Sequence, residues 1–286
     1  MNVAIIGPGR VGTLLAAALS RAGMRVVAVA GGSSTAREQI CAAVAGARPY
    51  DEVVPAAQAA DLVLLCVPDG AIEGVVTELA VAEAVGEGDR VVHVAGSRGL
   101  TPLRRAALTG ASVAACHPAM TVPSGARDPD LLVGVAWAVT AGHADQGWAR
   151  QLVTDLGGDP FVVPEDARAL YHAGLVVGSN AVGAAVATAR RLLLAARVER
   201  PDAFLAPLIE ASVANVLEHG AQALTGPVVR GDVGTVATHL EAIRRDVPEL
   251  SAAYRALAEG TLAPLRTTLD PEVVAELDRL LTDTEG

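Results

Sequence analysis

The feature that most constrains this chain is a glycine-rich turn at its very start. Residues 2–6 form an apolar run, which leads into a G-x-G-x-x-G spacing made of Gly7, Pro8, Gly9, Arg10, Val11 and Gly12. A helix-forming stretch follows at once, and a second apolar run occupies residues 25–30. A strand, this turn, a helix and a second strand form the unit that binds a pyrophosphate at a helix N-terminus. The start of the chain therefore predicts a dinucleotide-binding domain.

Each glycine of the turn has its own physical reason. Gly7 allows the tight turn, Gly9 lets the backbone approach a pyrophosphate, and Gly12 lets the helix pack closely on the strand. The free N–H groups at the helix start then bind the phosphates. The competing interpretation is a glycine-rich turn that binds nothing.

The residues after the second apolar run predict which dinucleotide binds. A site for NAD usually has an acidic residue there to accept a hydrogen bond from the ribose 2′-OH, but no Asp or Glu occurs before residue 38. Gly31, Ser33 and Arg37 would instead hold a 2′-phosphate through charge-assisted hydrogen bonds, with Arg10 as a second cation. We therefore expect NADP(H) as the cofactor. The alternative for Arg37 is a solvated residue on the next helix.

Composition narrows the class of protein. The net charge of −10 argues against nucleic acid or an anionic membrane as a partner. The three cysteines lack the spacing of a metal site, and a sparse, odd set suits a reducing cytoplasm. An apolar run that starts at residue 2 leaves no place for a signal peptide. We expect a cytoplasmic protein whose most apolar stretch, residues 173–189, is a buried helix and not a membrane span.

Periodicity divides the chain near residue 163. Up to that point continuous apolar runs alternate with helical patterns, which indicates a doubly wound parallel sheet of the Rossmann type. The predicted strands are 2–6, 25–30, 61–67, 90–95, 112–116, 134–140 and 160–163. Beyond residue 163 only helical patterns occur, and the last of them covers residues 271–283. We predict an α/β nucleotide-binding domain at 1–163 and an all-helical domain at 164–286 that binds substrate and dimerises.

Small and polar residues follow the predicted strands, where ligands bind in such sheets. Val67 and Pro68 would border the cofactor. Ala95 and Gly96 would let the nicotinamide ring lie close, and Ser97 offers a hydroxyl to the substrate.

The candidate catalytic residues are two histidines together with Ser179 and Asn180, and Asn180 would polarise or orient the substrate carbonyl. His117 follows a predicted strand, where substrate and nicotinamide would meet. On a regular helix of 100° per residue, His172 and Ser179 lie 20° apart and Asn180 lies within 80° of His172. Polar groups on an apolar helix need partners or a function. The alternatives are a loop histidine at 117, a satisfied core histidine at 172, and a hydrogen-bonded helix pair through Ser179 and Asn180.

A turn rich in glycine and proline joins two predicted helices at residues 224–232. Arg230 in this turn could bind a substrate carboxylate bidentately, with Thr225 beside it. The alternative is a structural turn in which Arg230 pairs with Asp232 or with a helix end.

Together these segments resemble a known bacterial group. The Rossmann start, VPDGAI, HPAMTV, YHAGLVVGSN and LTGPVVRGDVGTVATHL are similar to Rossmann-like proteins with a C-terminal domain of unknown function, DUF2520. The resemblance implies an NADP-linked oxidoreductase related to ketopantoate reductase, pyrroline-5-carboxylate reductase and 6-phosphogluconate dehydrogenase. It also implies a 6-phosphogluconate dehydrogenase-like helical domain that pairs into a homodimer, with the apolar helix at 170–196 as the candidate interface.

The chain departs from ketopantoate reductases and hydroxyacid dehydrogenases in one respect. Those enzymes place a lysine one helical turn before an asparagine, whereas Val176 stands four residues before Asn180 and the chain has no lysine. His172 or His117 would have to serve as the general acid. The leading hypothesis is an NADPH-dependent reductase of a small carbonyl compound such as a 2-oxo acid, ketopantoate first. A non-catalytic NADP(H) sensor and a cyclic imine reductase are the alternatives.

Overall fold

The computed structural model describes residues 1–282, so residues 283–286 of the predicted helical domain lie outside the described range. The chain divides into two compact units, Met1–Leu175 and Val176–Gly286. The end of the last strand at Val162 coincides with the end of the strand signals in the sequence. The domain boundary near residue 163 stays a prediction.

The first unit is built on one eight-stranded sheet with the strand order β3-β2-β1-β4-β5-β6-β7-β8. Every neighbouring pair is parallel except β6 and β7. This confirms the Rossmann-type doubly wound sheet. The strands are β1 (Asn2–Ile6), β2 (Arg25–Ala30), β3 (Arg48–Pro49), β4 (Leu62–Leu65), β5 (Arg90–His93), β6 (Ser112–Pro118), β7 (Ala136–Ala141) and β8 (Asp159–Val162).

Helices connect most of these strands and cover both faces of the sheet. They are α1 (Arg10–Arg21), α2 (Ser34–Ala43), α3 (Val53–Gln58), α4 (Ile72–Val81), α5 (Arg104–Leu108) and α6 (Gln146–Asp155), and α7 (Arg168–Val176) follows the last strand. In β1, Val3 and Ile5 belong to one hydrophobic cluster while Ala4 and Ile6 belong to another. Burial on both faces explains why the strands read as continuous apolar runs.

Two features of the sheet differ from the prediction. The link from Pro118 to Ala136 has no α-helix, so β7 returns antiparallel to β6 where a parallel sheet would need a crossover. Strand β3 has only two residues, Arg48 and Pro49, and carries no apolar run that a periodicity search could detect.

The second unit is helical throughout its described part. A π-helical turn (Val177–Ala181) follows α7 and leads into α8 (Val182–Ala195), α9 (Pro201–His219), α10 (Val233–Asp246), α11 (Ser251–Leu262) and α12 (Pro271–Thr282). The last three helices share a small core with Val236, Leu240, Leu262 and Leu277 at its centre. Asp232 caps α10 by accepting from the Thr235 amide at 3.0 Å, and Pro271 opens α12.

The expectation of a buried helix at 173–189 is wrong for the single chain. Helix α8 contains no buried residue, and α9 buries only Pro201 and Leu205. One stretch, Glu165–Ala195, is long and apolar enough to cross a membrane by length and composition, which is weak evidence of a span. Its apolar character comes from residues that this chain leaves exposed.

Candidate functional site

The glycine turn between β1 and α1 has the geometry of a phosphate cradle. Gly7 has φ +104°, and a Cβ there would lie 2.5 Å from the carbonyl oxygen of Cys66. A Cβ on Gly12 would lie 2.2 Å from the carbonyl oxygen of Gly7. A Cβ on Gly9, in contrast, would have no atom within 4 Å. The first and third glycines are therefore needed by the fold, while the second keeps space open in front of the helix.

The start of α1 offers backbone donors to that space. Gly9 is the N-cap and has no side chain to accept from the first turn, and no acidic residue occurs in that turn. The first amide bonded inside the helix is that of Thr13, which donates to the Gly9 carbonyl at 2.9 Å. The amides before it point toward the open side, and Arg10 is exposed beside them. This arrangement fits the pyrophosphate of a dinucleotide.

Arg37 is not a solvated helix residue. Its Nη1 donates to the carbonyl oxygens of Gly31 at 3.3 Å and Gly32 at 3.0 Å, and its Nη2 donates to Asp51 at 2.6 Å. The residue is 8% exposed, whereas the Asp51 side chain is 95% exposed. Ser33 caps α2 by accepting from the Ala36 amide at 3.2 Å. Arg37 thus shapes the loop after β2 while it pairs with an acid that sequence reasoning missed.

The loops after β4 and β5 are joined by one hydrogen bond. Ser97 Oγ donates to Asp69 Oδ2 at 2.8 Å. The Ser97 hydroxyl, which is predicted to contact the substrate, therefore lies next to the acidic residue that follows Val67 and Pro68. Ala95, which lies in the loop after β5, is buried. The loop after β5 therefore lies beside the position predicted to border the cofactor.

Two further groups hold the loop after β5 in place. His93 is fully buried; its Nδ1 accepts from the Ala95 amide at 3.1 Å, so its Nε2–H donates to the Gly99 carbonyl at 2.7 Å. Burial lowers the pKa of His93, and this structural histidine is neutral. Glu165 accepts from the Leu100 amide at 2.6 Å and approaches Gly99 so closely that a Cβ there would lie 1.9 Å from Oε2.

The predicted catalytic histidines meet at this loop. The rings of His117 and His172 lie 6.0 Å apart, centroid to centroid, in an edge-on arrangement. The ring of Tyr171 lies 5.8 Å from that of His117, also edge-on, and its hydroxyl is 2.9 Å from His117 Nδ1. Both histidines contact Gly96: a Cβ there would lie 2.4 Å from His172 Cδ2 and 2.9 Å from His117 Nε2. The three aromatic side chains form what we call the histidine cluster, composed of His117, Tyr171 and His172.

The charge state of His117 follows from its surroundings. Burial, together with the positive charge of Arg168 and the neighbouring His172, lowers the pKa of His117 to about 4. His117 is therefore a neutral imidazole at neutral pH, which offers one donor and one acceptor. Burial also raises the pKa of Tyr171, so its hydroxyl keeps its proton.

The second unit carries the other predicted residues. Ser179 and Asn180 lie in the π-helical turn and are exposed. The spacing that placed them on one face assumed a regular α-helix, and that premise fails at residues 177–181. Thr225 lines a groove of about 340 Å³ with His239 and Tyr254, and Arg230 is exposed in the turn before α10. No ion pair joins Arg230 to Asp232 among the residues that the structure describes.

Some residues of the site were not selected from the sequence. Arg168 is buried beneath the histidine cluster, and Asp51 and Glu165 fix the surrounding loops. A lone arginine ahead of an apolar helical stretch was the available signal for Arg168. Within residues 1–282, no group of three or more His, Cys, Asp or Glu side chains could hold a metal ion.

Two family profiles match the chain. Residues 1–118 match the Rossmann-like domain, and residues 135–261 match DUF2520, a domain of unknown function. This confirms the resemblance drawn from the motifs. No curated protein sequence matches the chain.

Solved structures share the fold along nearly the whole chain. A Bacteroides fragilis protein assigned as an NADP oxidoreductase is 21% identical over 92% of this chain and 98% of its own, with a TM-score of 0.76. An imine reductase from Streptomyces aurantiacus is 18% identical over 99% and 100%, with a TM-score of 0.65. A reductive aminase from Aspergillus terreus, in complex with NADPH and ethyl-5-oxohexanoate, is 17% identical over 97% and 98%, with a TM-score of 0.68.

Proposed function

We propose that this chain, which carries a Rossmann-like domain followed by a DUF2520 domain, is an NADPH-dependent reductase of a small compound with a C=N or C=O bond. The observation that carries the proposal is the histidine cluster packed on Gly96. It lies at the carboxyl ends of β5 and β6, on the same edge of the sheet as the glycine turn after β1. Ligands of doubly wound sheets bind at this edge.

The cofactor assignment rests on the cradle. The space in front of Gly9 and the amides of the first turn of α1 would hold the pyrophosphate, with Arg10 as a nearby cation. Ser33 and Arg37 follow β2, where a 2′-phosphate would bind; residues 1–37 contain no Asp or Glu, although Asp51 pairs with Arg37 from a later segment. When bound, the nicotinamide supplies a hydride. The solved structures of similar fold include NADP-linked reductases, which supports NADPH as the cofactor.

The histidine cluster would position the acceptor group and handle its proton. His117 is neutral and shares a hydrogen bond with the Tyr171 hydroxyl, so it orients that hydroxyl and does not deliver a proton as an imidazolium. We therefore assign proton donation to His172, whose ring packs on Gly96 beside His117. Ser97 would orient the substrate through its hydroxyl. Ser179 and Asn180 stay as candidates for the same reaction.

A C=N substrate suits these residues better than a 2-oxo acid. Reduction of a carbonyl develops an alkoxide that must be protonated, whereas an iminium carbon accepts hydride without a strong acid. The chain has no lysine, and His117 is neutral at neutral pH. Structures of an imine reductase and a reductive aminase share the fold. Cyclic imines are therefore our first substrate class.

A 2-oxo acid is the second candidate because of Arg230. Its guanidinium is exposed and could bind a carboxylate bidentately. If this is its role, Arg230→Ala raises the KM for a carboxylate-bearing substrate about tenfold or more and leaves the KM for a neutral substrate unchanged. An unchanged KM for both substrates removes Arg230 from the site.

The active form would be a homodimer through the helical unit. Helix α9 exposes Phe204, Leu208 and Leu217, the last with 83% of its surface. An exposed apolar patch of this kind marks an interaction surface. A second copy presents the same surface and can cover it symmetrically. Light scattering at micromolar concentration should give twice the mass of one chain.

A soluble, cytoplasmic location follows from the same proposal. Arg168, in the first turn of the apolar stretch, bonds to the sheet of the first unit, so that turn does not lie in lipid. The three cysteines are free thiols. After cell lysis, the protein should stay in the supernatant of a high-speed spin without detergent.

Oxidation of NADPH in the presence of cyclic imines and 2-oxo acids tests the function, with NADH in parallel. Turnover of one compound with NADPH, faster than with NADH, is the expected result. Turnover of ketopantoate alone would replace the imine assignment by the carbonyl one. Tight NADPH binding without turnover of any compound would favour a non-catalytic sensor and contradict the proposal.

A further inference from the structure

One buried cation beneath the histidine cluster has no part in the chemistry described so far. Arg168, the first residue of α7, is 1% exposed. It precedes Tyr171 by three residues and His172 by four, so all three lie on one side of the helix. None of the ion pairs among residues 1–282 includes Arg168. Burying a charge without an opposite charge is costly, so the burial of the Arg168 guanidinium needs a structural or functional explanation.

The guanidinium of Arg168 bonds to four neutral acceptors. Its Nη2 donates to the carbonyl oxygens of Ala115 at 2.6 Å and Ala138 at 3.3 Å, its Nη1 to Gly96 at 3.4 Å, and its Nε to Thr140 Oγ1 at 2.8 Å. The Thr140 hydroxyl is itself fixed because it donates to the Val163 carbonyl at 2.5 Å.

Strand lengths explain why the acceptor on β6, the Ala115 carbonyl, is available. Ala115 is the last residue of β6 that pairs with β5, while β6 itself continues to Pro118. Beyond that point β5 has turned into the loop that holds Gly96. The two strands separate there, and carbonyls on that side of β6 lose their sheet partner. The planar fork of an arginine can bond to this carbonyl and, at the same time, to acceptors on β7 and in the loop after β5.

We propose that Arg168 is the positioning residue of the site, tying the first turn of α7 to the ends of β6 and β7 and to Gly96, and so fixing Tyr171 and His172 against His117. The inference rests on the proposed function for its catalytic meaning, but its geometric part does not depend on any substrate. Arg168 is not placed in contact with the reacting atoms.

The positive charge of Arg168 has a second consequence, which concerns the protonation of His117. His117 faces Arg168, His172, Asp69, His93 and Tyr171. After burial, the positive charge of Arg168 is the largest cause that lowers the pKa of His117. A neutral His117 can hold the Tyr171 hydroxyl in one orientation, whereas an imidazolium would have only donors to offer.

Two variants separate charge from geometry. Arg168→Gln removes the charge and most of the fork, while Arg168→Lys keeps the charge but cannot reach four acceptors in one plane. Arg245→Gln is the matched control because it removes an exposed arginine of the second unit that pairs only with its neighbour Asp246. NMR titration of the six histidines follows the charge of His117, identified by the resonance that His117→Asn lacks.

The expected result has two parts. The titration midpoint of His117 rises from about 4 toward its ordinary value of 6.5 in Arg168→Gln and stays near 4 in Arg168→Lys and Arg245→Gln. With a turned-over substrate, kcat falls about tenfold or more in both Arg168 variants while the KM for NADPH changes little, because misplacement of reacting groups costs rate. The NMR part can be measured even if no substrate is found, so its failure differs from failure of the proposed function.

A folded Arg168→Gln protein with an unmoved His117 midpoint and wild-type kcat would overturn the inference. Should Arg168→Gln not fold, Thr140→Val removes the acceptor of Nε together with the hydroxyl's bond to the Val163 carbonyl, and Thr140→Ser restores both. The inference expects a reduced kcat in Thr140→Val that Thr140→Ser rescues. Wild-type kcat in Thr140→Val would overturn it.

Discussion

Two glycines of the turn, Gly12 and Gly9, should respond differently to replacement by alanine: the first variant should lose stability and the second should lose cofactor affinity. In Gly12→Ala the new Cβ would lie 2.2 Å from the backbone oxygen of Gly7, which cannot move without breaking the turn. Overpacking of this kind costs up to about 3 kcal/mol, and the better helix propensity of alanine returns about 1 kcal/mol. The net loss of about 2 kcal/mol lowers the Tm by about 4–8 °C for a unit of this size.

Gly9→Ala should leave stability unchanged and weaken the cofactor instead. Gly9 has φ −79° and ψ −169°, which any residue adopts, and its Cβ would meet no protein atom within 4 Å. The reduced entropy of the unfolded chain stabilises such a variant by about 0.4–1 kcal/mol, against a slightly poorer N-cap. The methyl group would occupy the space assigned to the pyrophosphate. We expect a Kd for NADPH at least about tenfold higher, a loss of about 1.4 kcal/mol of binding energy.

Thermal unfolding without cofactor and a fluorescence titration with NADPH measure the two effects on the same samples. The account requires that Gly12→Ala loses stability and that Gly9→Ala keeps its Tm but loses affinity. A Gly9→Ala protein that binds NADPH like the wild type would refute the assignment of this space to the pyrophosphate.

Three further variants test other parts of the site. Gly96→Ala inserts a methyl group between the two histidine rings, so kcat should fall about a hundredfold; a wild-type kcat would show that the cluster is not at the reacting centre. Asp51→Asn frees the guanidinium of Arg37 from its acid, so NADPH should bind more tightly while NADH binding stays unchanged. Asp232→Ala removes the cap on the Thr235 amide and should lower the Tm at pH 7. Since hydrogen bonds from the Thr235 hydroxyl and then from its amide lower the pKa of Asp232 below 3.8, their stabilisation is present above pH 3.8 and is lost below the folded-state pKa.

The fold could be predicted because its strongest signals are local. The apolar runs and the glycine turn predicted the first and last residues of β1 and β2 correctly, since burial on both faces of the sheet leaves continuous apolar segments. The direction of β7 could not be read locally, because a link without a helix permits either pairing until the whole sheet is assembled. The two residues of β3 carry no periodic signal. Asp51, which follows β3, was therefore not predicted to pair with Arg37.

The site was predicted in part for the same reason. His117 and His172 were selected for their residue type, but only the structure brings them together on Gly96. Arg168 was missed because its four acceptors are backbone carbonyls and a threonine hydroxyl, which leave no partner visible in the sequence. The helical wheel that aligned Ser179 with His172 failed because a π-helical turn depends on packing and not on residue type.

The central claim is that this chain transfers a hydride from NADPH to a small unsaturated compound. NADPH carrying deuterium at both C4 positions of the nicotinamide, incubated with the enzyme and a cyclic imine, tests it most directly, with mass spectrometry of the product. The account predicts an amine that carries one deuterium at the former C=N carbon and one NADP⁺ formed per amine. Bound NADPH that stays unconsumed with imines and 2-oxo acids alike would contradict it.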